Sequence, residues 1–272
     1  MTTAPTAPPP LITGWEPELD SEDSKLLRFT RAWAASLAGP VAALGGRVEY
    51  HDGFVVTDLG RPSGFYNSAV LLAPPRHGWA DLLARLAEAL IDQGTGEVEL
   101  FCPFPTPDLT EYGWKLHGHP PLLWRPPIPP PPLTSGPGAV VEVTEPEQVA
   151  TWERLAIEAY PFDELLPVRP GQFVDARVLE SPLRMWLGHD ERGEPVGVGA
   201  SYVAEGVHIA ALGTVLPRAR GQGVWTNLLR ARLAAYPDLP SASLFSDMSR
   251  AGAQGHGYEP LLRFTLWHHS RE

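Results

Sequence analysis

Hydrophobic side chains recur at two alternating periods along the chain. Residues 22–38, 79–91, 147–160 and 223–235 carry them at helical spacing, and a further short helix is predicted from residue 248. Short runs rich in β-branched and aromatic residues separate these segments and predict strands. Because strands and helices alternate, the expected fold class is α/β with mixed sheets flanked by helices. The predicted strands are residues 47–59, 65–72, 97–102, 139–143, 183–188, 196–203, 207–216, 241–246 and 264–268, and residues 122–124 are expected to close the first sheet.

A proline-rich segment divides the chain. Six of the seven residues in 126–132 are proline, and prolines fix φ and remove amide donors, which favours an extended spacer. A ligand for a peptide-binding module is the alternative interpretation. The predicted organisation is a disordered tail (1–20), a first lobe (21–125), a linker (126–138) and a second lobe (139–272).

The two lobes show a weak internal repeat. Pro74 and Pro217 each end a predicted strand, and Gly113 and Gly257 each precede an aromatic residue at nearly the same offset. The shared order of strand, helix, strand and Gly-aromatic pair is typical of a duplication, although so loose a template also arises by chance.

Only the second lobe carries a glycine-rich turn between a strand and a helix. The turn reads Arg218-Ala219-Arg220-Gly221-Gln222-Gly223, whereas the first lobe has the shorter Pro75-Arg76-His77-Gly78. Glycines let backbone amides approach phosphate oxygens, and the following helix directs its partially positive end at the same place. The second turn therefore predicts a diphosphate site, and the first lobe is expected to have lost one.

This segment resembles the GCN5-related N-acetyltransferase (GNAT) superfamily, in which a strand ending Val-x-Pro precedes Gln/Arg-x-x-Gly-x-Gly/Ala and a helix. The similarity spans residues 139–268, and its specific part is residues 215–229. It implies a tandem protein of two GNAT-like lobes, the first degenerate, that binds acetyl-CoA in a cleft between splayed strands. The coenzyme A contacts that it implies are Thr214, Val215, Leu216, Arg218, Arg220, Gly221, Gln222, Gly223, Val224, Trp225 and Thr226.

The proton-transfer groups are less clear from the sequence. The superfamily often places a Tyr before the Gly-aromatic pair to protonate the departing thiolate, but Ala253 stands at that position. Ser249, His256 or a water is a possible substitute. His208 is the candidate base because superfamily bases often lie on the strand that leads into the turn, with Glu205 as the second candidate. A structural role for a histidine at a strand end is the alternative.

Aromatic and acidic residues follow the first helix of the second lobe, where the superfamily forms one wall of its acceptor site. Aromatic rings beside carboxylates suit a cationic amine, and an ordinary helix-ending turn is the alternative. The candidate acceptor residues are Tyr160, Phe162, Asp163 and Glu164.

Composition narrows the classes of partner. The net charge of −11 disfavours nucleic acid and anionic membranes and suits a cationic acceptor. A single cysteine, Cys102, cannot form an internal disulfide, and this favours the cytoplasm. No membrane-spanning segment, signal peptide or metal-ligand pattern is predicted. The oligomeric state is open.

Three functions are compatible with these patterns. The first is an N-acetyltransferase that moves an acetyl or other acyl group from acetyl-CoA directly onto an amine of a small molecule or a protein. The second is a coenzyme A binding or sensing protein without turnover, which Ala253 favours. The third is a lobe for another phosphate ligand such as a nucleotide, which the absence of nucleotide-binding motifs disfavours.

Overall fold

The structure is a computed structural model that describes residues 24–92, 97–129, 138–160 and 162–270. The first 20 residues, predicted to form a tail, and most of the proline-rich linker lie outside these ranges. The helices and strands are α1 (Lys25–Ala43), β1 (Arg47–His51), β2 (Phe54–Asp58), β3 (Ser68–Leu71), α2 (Trp79–Leu86), β4 (Val98–Cys102), β5 (Lys115–Gly118), β6 (Pro121–Arg125), β7 (Val140–Glu142), α3 (Pro146–Ala159), β8 (Arg184–His189), β9 (Pro195–Ala204), β10 (Val207–Val215), α4 (Val224–Ala234), β11 (Ser241–Leu244), α5 (Asp247–Gln254), β12 (Glu259–Arg263) and β13 (Thr265–His269).

The strands form two mixed sheets flanked by helices, which confirms the expected fold class. The first sheet has the order β1-β2-β3-β4-β13-β5, and the second has the order β12-β6-β11-β10-β9-β8-β7. In each sheet the described strands include one parallel pair, β3–β4 or β10–β11, and the other pairs are antiparallel. The two sheets therefore repeat one plan, in agreement with the similarity noted between the lobes.

Each lobe gives one strand to the sheet of the other. β6 lies between β11 and β12 of the second sheet, where Trp124 faces Ala242 and Glu259. β13 lies between β4 and β5 of the first sheet, where Trp267 faces Leu100 and Leu116. The expectation that residues 122–124 close the first sheet is wrong. Sheet membership crosses the predicted boundary at residue 125, so neither sheet is complete without both lobes.

Helix α1 packs between the two sheets and contacts β2 and β3 on one side and β9 and β10 on the other. Its inward residues Phe29 and Trp33 are buried in a core that includes Phe264 and residues of both lobes. A separate core beneath α2 contains Trp267, contributed by β13. None of the helices in the described ranges is long and apolar enough to cross a bilayer.

Candidate active site

The strand that leads into the glycine-rich turn separates from its neighbour. β10 pairs with β11 in parallel only at His208 and Ile209. The register against β9 then shifts between Ala211 and Thr214, and Leu212 has a φ of 49°. A bulge of this kind bends a strand. The described pairing of the two strands thus ends at Ile209 and Ala242, where the resemblance implies a splay, and the coenzyme cleft between them stays a prediction.

A buried arginine supports this bulge. Arg232 of α4 is 1% exposed, and its Nη1 donates to the carbonyl of Ala211 at 2.9 Å and to that of Ala200 at 3.3 Å. Its Nε donates to the carbonyl of Leu228 at 3.1 Å. Burial lowers the pKa of this guanidinium to about 10. Because the bulge frees carbonyls from the regular ladder, Arg232 supplies the donors that they would otherwise lack. Sequence reasoning missed this residue, since a helical arginine is usually exposed.

The glycine-rich turn is open. Gly221 and Gly223 have φ values of 77° and 80°, and a Cβ built on either one would meet no atom within 4 Å. Among the described residues, none accepts a hydrogen bond from the amides of Gly221, Gln222 or Gly223. Helix α4 begins at Val224, so the amides of its first turn also lack intrahelical acceptors. The turn thus offers a series of free donors at the positive end of a helix.

The polar side chains of the turn are exposed and partly stabilise it. Arg220 Nε donates to the carbonyl of Val215 at 3.2 Å, which connects the turn to the end of β10. Gln222 Nε2 donates to the carbonyl of Arg218 at 3.2 Å, within the turn. The Arg218 and Arg220 side chains bring two cationic groups to a turn whose helix has no acidic residue in its first turn. The local charge therefore favours an anion.

The remaining predicted coenzyme A contacts lie at the end of β10 and at the start of α4. Thr214 Oγ1 donates to the carbonyl of Ala159 at 3.1 Å, which connects β10 to the end of α3. The amide of Leu216 donates to the carbonyl of Val196 at 2.9 Å, so that amide is already engaged. Trp225 is half-buried. Its ring comes within 3.4 Å of a Cβ built on Gly213 and within 2.9 Å of one built on Gly252, so it lies between β10 and α5.

Helix α5 lacks an acid at the position where the resemblance expects one. Ala253 is fully buried in the core beneath α4. Ser249 uses its hydroxyl locally, since Ser249 Oγ donates to the carbonyl of Ser246 at 3.1 Å near the start of the helix. His256 accepts a hydrogen bond at Nε2 from Arg230 Nε at 3.2 Å. A proton-donor role for Ser249 stays a prediction.

His208 is placed where it cannot serve as a base. The side chain is 0% exposed, its Nε2 lies 2.7 Å from Ser201 Oγ, and its ring packs on Tyr236 at 4.9 Å. Burial lowers its pKa to about 3, with the charge of Arg232 adding to the effect. The catalytic role expected for His208 is therefore withdrawn. Glu205, the second candidate, is exposed. It lies in the connection between β9 and β10, at the opposite end of β10 from the glycine-rich turn.

A cavity of about 660 Å³ lies between the lobes. Phe245 and Ser246, which directly follow β11, line one side of it. Tyr160, which directly follows the residue bonded to Thr214, lines another. Residues that directly follow β11 and α3 thus line the cavity, whereas no residue of β10, and neither Leu216 nor Ser243, is among its described lining residues. A volume of this size suits a small-molecule acceptor or an inserted side chain.

The predicted acceptor residues form one wall of this cavity. Tyr160 and Phe162 stack with ring centroids 5.2 Å apart, and Phe65 of the first lobe packs edge-on against both. Glu164 also lines the cavity and is exposed. The side chain of Asp163 lies outside the described part of the chain. The sequence thus predicted the wall, but it did not predict that the first lobe contributes to it.

A cluster of titratable groups on the first sheet lines the same cavity. Glu99 of β4 is 6% exposed, and its Oε1 lies 2.8 Å from Nδ1 of His117 and 2.8 Å from Nδ1 of His268. Burial alone would raise the pKa of Glu99, but the two histidines outweigh it and hold that pKa below its usual range. The hydrogen bond to Glu99 raises the pKa of His117. Three distant segments supply these residues, so no local sequence signal could have found the cluster.

Metal ligation is not indicated at this cluster or elsewhere in the described ranges. No group of three or more His, Cys, Asp or Glu side chains in residues 24–92, 97–129, 138–160 and 162–270 is arranged to hold a metal ion. Cys102 is fully buried, its thiol donates to the carbonyl of Phe104 at 3.2 Å, and burial raises its pKa to about 12. That thiol therefore belongs to the core.

Comparison with solved structures finds similar folds over most of the chain. A GCN5-related N-acetyltransferase from Kribbella flavida has a TM-score of 0.62 and 21% identity, covering 92% of this chain and 97% of its own. One from Sphaerobacter thermophilus has a TM-score of 0.52 and 17% identity, covering 79% and 76%. A GCN5-related N-acetyltransferase-like protein from Streptococcus suis has a TM-score of 0.51 and 14% identity, covering 91% and 100%.

No protein-family model matches the sequence, and no curated protein matches it either. The likeness is therefore one of structure over most of the chain. The chain has the fold of the GCN5-related N-acetyltransferases.

Proposed function

We propose that the protein is an N-acyltransferase that binds acetyl-CoA at the turn of Arg218–Gly223 and transfers its acyl group directly to an amine. The observation that carries this proposal is the open turn itself. The amides of Gly221, Gln222 and Gly223 have no acceptor among the described residues, and no side chain fills the space above the two glycines. A pyrophosphate supplies the acceptors that such amides require.

The end of β10 indicates where the pantetheine arm of the coenzyme would lie. The turn follows the end of β10, and Thr214 of that strand donates to the carbonyl of Ala159, which directly precedes Tyr160 in the cavity wall. A pantetheine arm that enters beside Trp225 would bring the thioester toward this cavity. We place the amine acceptor, a small molecule or a protein side chain, in the cavity against Tyr160 and Phe162.

The reaction needs no covalent enzyme intermediate. A neutral amine attacks the thioester carbonyl, the new C–N bond forms, and the C–S bond breaks as the coenzyme A thiolate leaves. The oxyanion that develops requires hydrogen-bond donors, which we assign to backbone amides at the bulge of residues 211–214, where the ladder with β9 is interrupted. The thiolate takes up a proton from solvent or from the attacking nitrogen, because Ala253 offers none.

A second function is favoured by one observation. Two of the positions expected to transfer protons lack an accessible titratable group, since position 253 is alanine and His208 is fully buried. These features support a protein that binds acyl-CoA without turnover.

Calorimetry and a thiol-release assay test both functions. Coenzyme A is titrated into the full chain, with pantetheine, which lacks the pyrophosphate, as the matched ligand. We expect coenzyme A to bind at least 10-fold more tightly, a difference of about 1.4 kcal/mol. Thiol release from acetyl-CoA is then measured over a panel of primary amines.

The outcomes separate the two functions. Binding with turnover on any amine supports the transferase, and binding without turnover supports the sensor. Equal affinities for coenzyme A and pantetheine would mean that the turn does not bind the pyrophosphate, which would contradict both functions.

A further inference from the structure

The cluster of Glu99, His117 and His268 has the geometry of a proton acceptor. Glu99 is ionised, so its Oε1 must accept the Nδ1–H of each histidine. That hydrogen bond fixes the tautomer and leaves the lone pair of each neutral ring on Nε2. The carboxylate also orients both rings, in the manner of the carboxylate of a catalytic triad.

The carboxylate of Glu99 is incompletely satisfied. Its Oε2 is buried and has no hydrogen-bond partner among the described residues. A buried anion with a free oxygen gains from positive charge nearby, so the cluster is stabilised when a histidine takes up a proton. Two neutral histidines with a purely structural role would not require a buried carboxylate with an unpartnered oxygen between them.

Of the two histidines, His117 has better access to a ligand. Its side chain is 56% exposed, against 35% for His268, and both residues line the interlobe cavity. The charge of Glu164, on the acceptor wall of the second lobe, also raises the pKa of His117. Carboxylates of both lobes, Glu99 and Glu164, therefore act on the His117 ring.

Other charged groups face the same space from every side. Lys115 lies on β5 beside His117, Glu97 precedes β4, and His119 follows β5. Asp247 at the start of α5 is already paired with Arg263 at 2.6 Å. His117 thus lies among charges of both signs, with Glu99 as its direct partner.

We infer that His117, held by Glu99, accepts the proton that the ammonium form of the acceptor must lose before it attacks the thioester. This inference rests on the proposed acyl transfer and assigns its base to the first lobe. Glu99 and His268 are positioning residues. The acceptor class is a primary amine that is protonated in solution.

The proton balance is complete. The ammonium R–NH₃⁺ gives one proton to Nε2 of His117, and the neutral amine attacks the thioester carbonyl. The C–N bond forms, the C–S bond breaks, and the nitrogen's second proton passes to the sulfur, which leaves as the free thiol. His117 returns its proton to water, so one proton is released for each amide made.

The test compares His117→Asn and Glu99→Gln with His51→Asn in the full chain. His51 is the matched control because it pairs with Glu49 at 3.0 Å on the same sheet but does not line the cavity. The measurements are kcat/KM against pH for thiol release from acetyl-CoA with ethanolamine, tyramine and putrescine, and the coenzyme A affinity of each variant.

We expect His117→Asn to lower kcat/KM about 100-fold, a typical loss for a general base. Since the basic form of His117 is required, activity falls as pH drops through its pKa. Glu99→Gln lowers that pKa, so the acidic limb moves to lower pH.

Hydroxylamine, which is already largely neutral at pH 7, should be acetylated by wild type and His117→Asn at nearly equal rates. Coenzyme A affinity should stay within twofold in all variants.

Two results would overturn the inference and leave the proposed coenzyme A site intact. They are an unmoved acidic limb in Glu99→Gln, or equal losses in His117→Asn and His51→Asn. Failure of the wild-type protein to bind coenzyme A, or binding with no thiol release on any amine, would instead reject the proposed acyl transfer itself.

Discussion

The two strand-turn-helix units of this molecule share a plan but differ in what the turn exposes. Gly78 precedes α2 with a φ of 87° and open space around it, much as Gly223 precedes α4. However, α2 carries Asp81 in its first turn, whereas the first turn of α4 has no acidic residue. Asp81 opposes a bound anion at the helix end. A glycine before a helix is therefore not sufficient for a phosphate site.

The strands before the two turns differ in the same direction. β3 pairs with β4 at three positions and with β2 without a register shift. β10 pairs with β11 at two positions and then bulges, with Arg232 holding the freed carbonyls. The first lobe keeps its sheet closed and places Glu99 and His117 at the interlobe cavity instead. The duplicated plan thus allows a division of labour between a cofactor lobe and a proton-transfer lobe.

The largest expected effect tests whether the lobes are independent. Trp267→Ala removes a ring that β13 inserts into the core of the first sheet, and such truncations cost about 3–5 kcal/mol of unfolding free energy. Although the change is near the C-terminus, hydrogen exchange should accelerate first in β2, β3 and β4. Trp124→Ala is the reciprocal variant and should accelerate exchange first in β10 and β11. The reverse pattern would contradict the strand exchange.

The second effect concerns the two glycines. Gly223→Glu adds a negative charge and a strained left-handed residue to the proposed phosphate turn, and we expect coenzyme A affinity to fall more than 100-fold, or about 2.7 kcal/mol. Gly78→Glu adds the same charge to the first lobe at a positive-φ glycine, where the ψ of 170° makes the strain at least as large as at Gly223, whose ψ is −3°. Calorimetry should find its coenzyme A affinity unchanged. Similar losses in both variants would attribute the effect to folding and not to the turn.

The sequence predicted most elements of the fold but not how they are shared. Hydrophobic periodicity located the helices, and α1 differs mainly in continuing through Gly39 and Pro40 to Ala43. A side chain at position 39 would collide with Tyr202. The glycine there therefore allows close packing and does not mark the end of the helix. Strand exchange was not predictable, because β6 and β13 read as equally good strands for either sheet.

The candidate site divides along similar lines. The turn and the aromatic pair of Tyr160 and Phe162 are local motifs that can be read from the sequence, and their roles as binding sites stay predictions. Glu99, His117 and His268 become neighbours only because β13 enters the first sheet beside β4 and β5. His208 was misassigned because position along a strand does not reveal which face is buried when both faces are covered.

The smallest expected effect contrasts the sealed histidine of the second lobe with the open one of the first. Burial lowers the pKa of His208 to about 3, so the unfolded chain takes up a proton near pH 6.5 that the folded protein refuses. Unfolding free energy therefore falls as pH drops below about 6.5, by up to about 1.4 kcal/mol for the first pH unit from this group. His208→Gln keeps a polar group near Ser201 and removes this titration. Urea unfolding at several pH values should give a shallower acid slope in the variant by close to one proton. Parallel slopes would mean that the His208 ring is protonated in the folded state, and a base in the second lobe would again compete with His117.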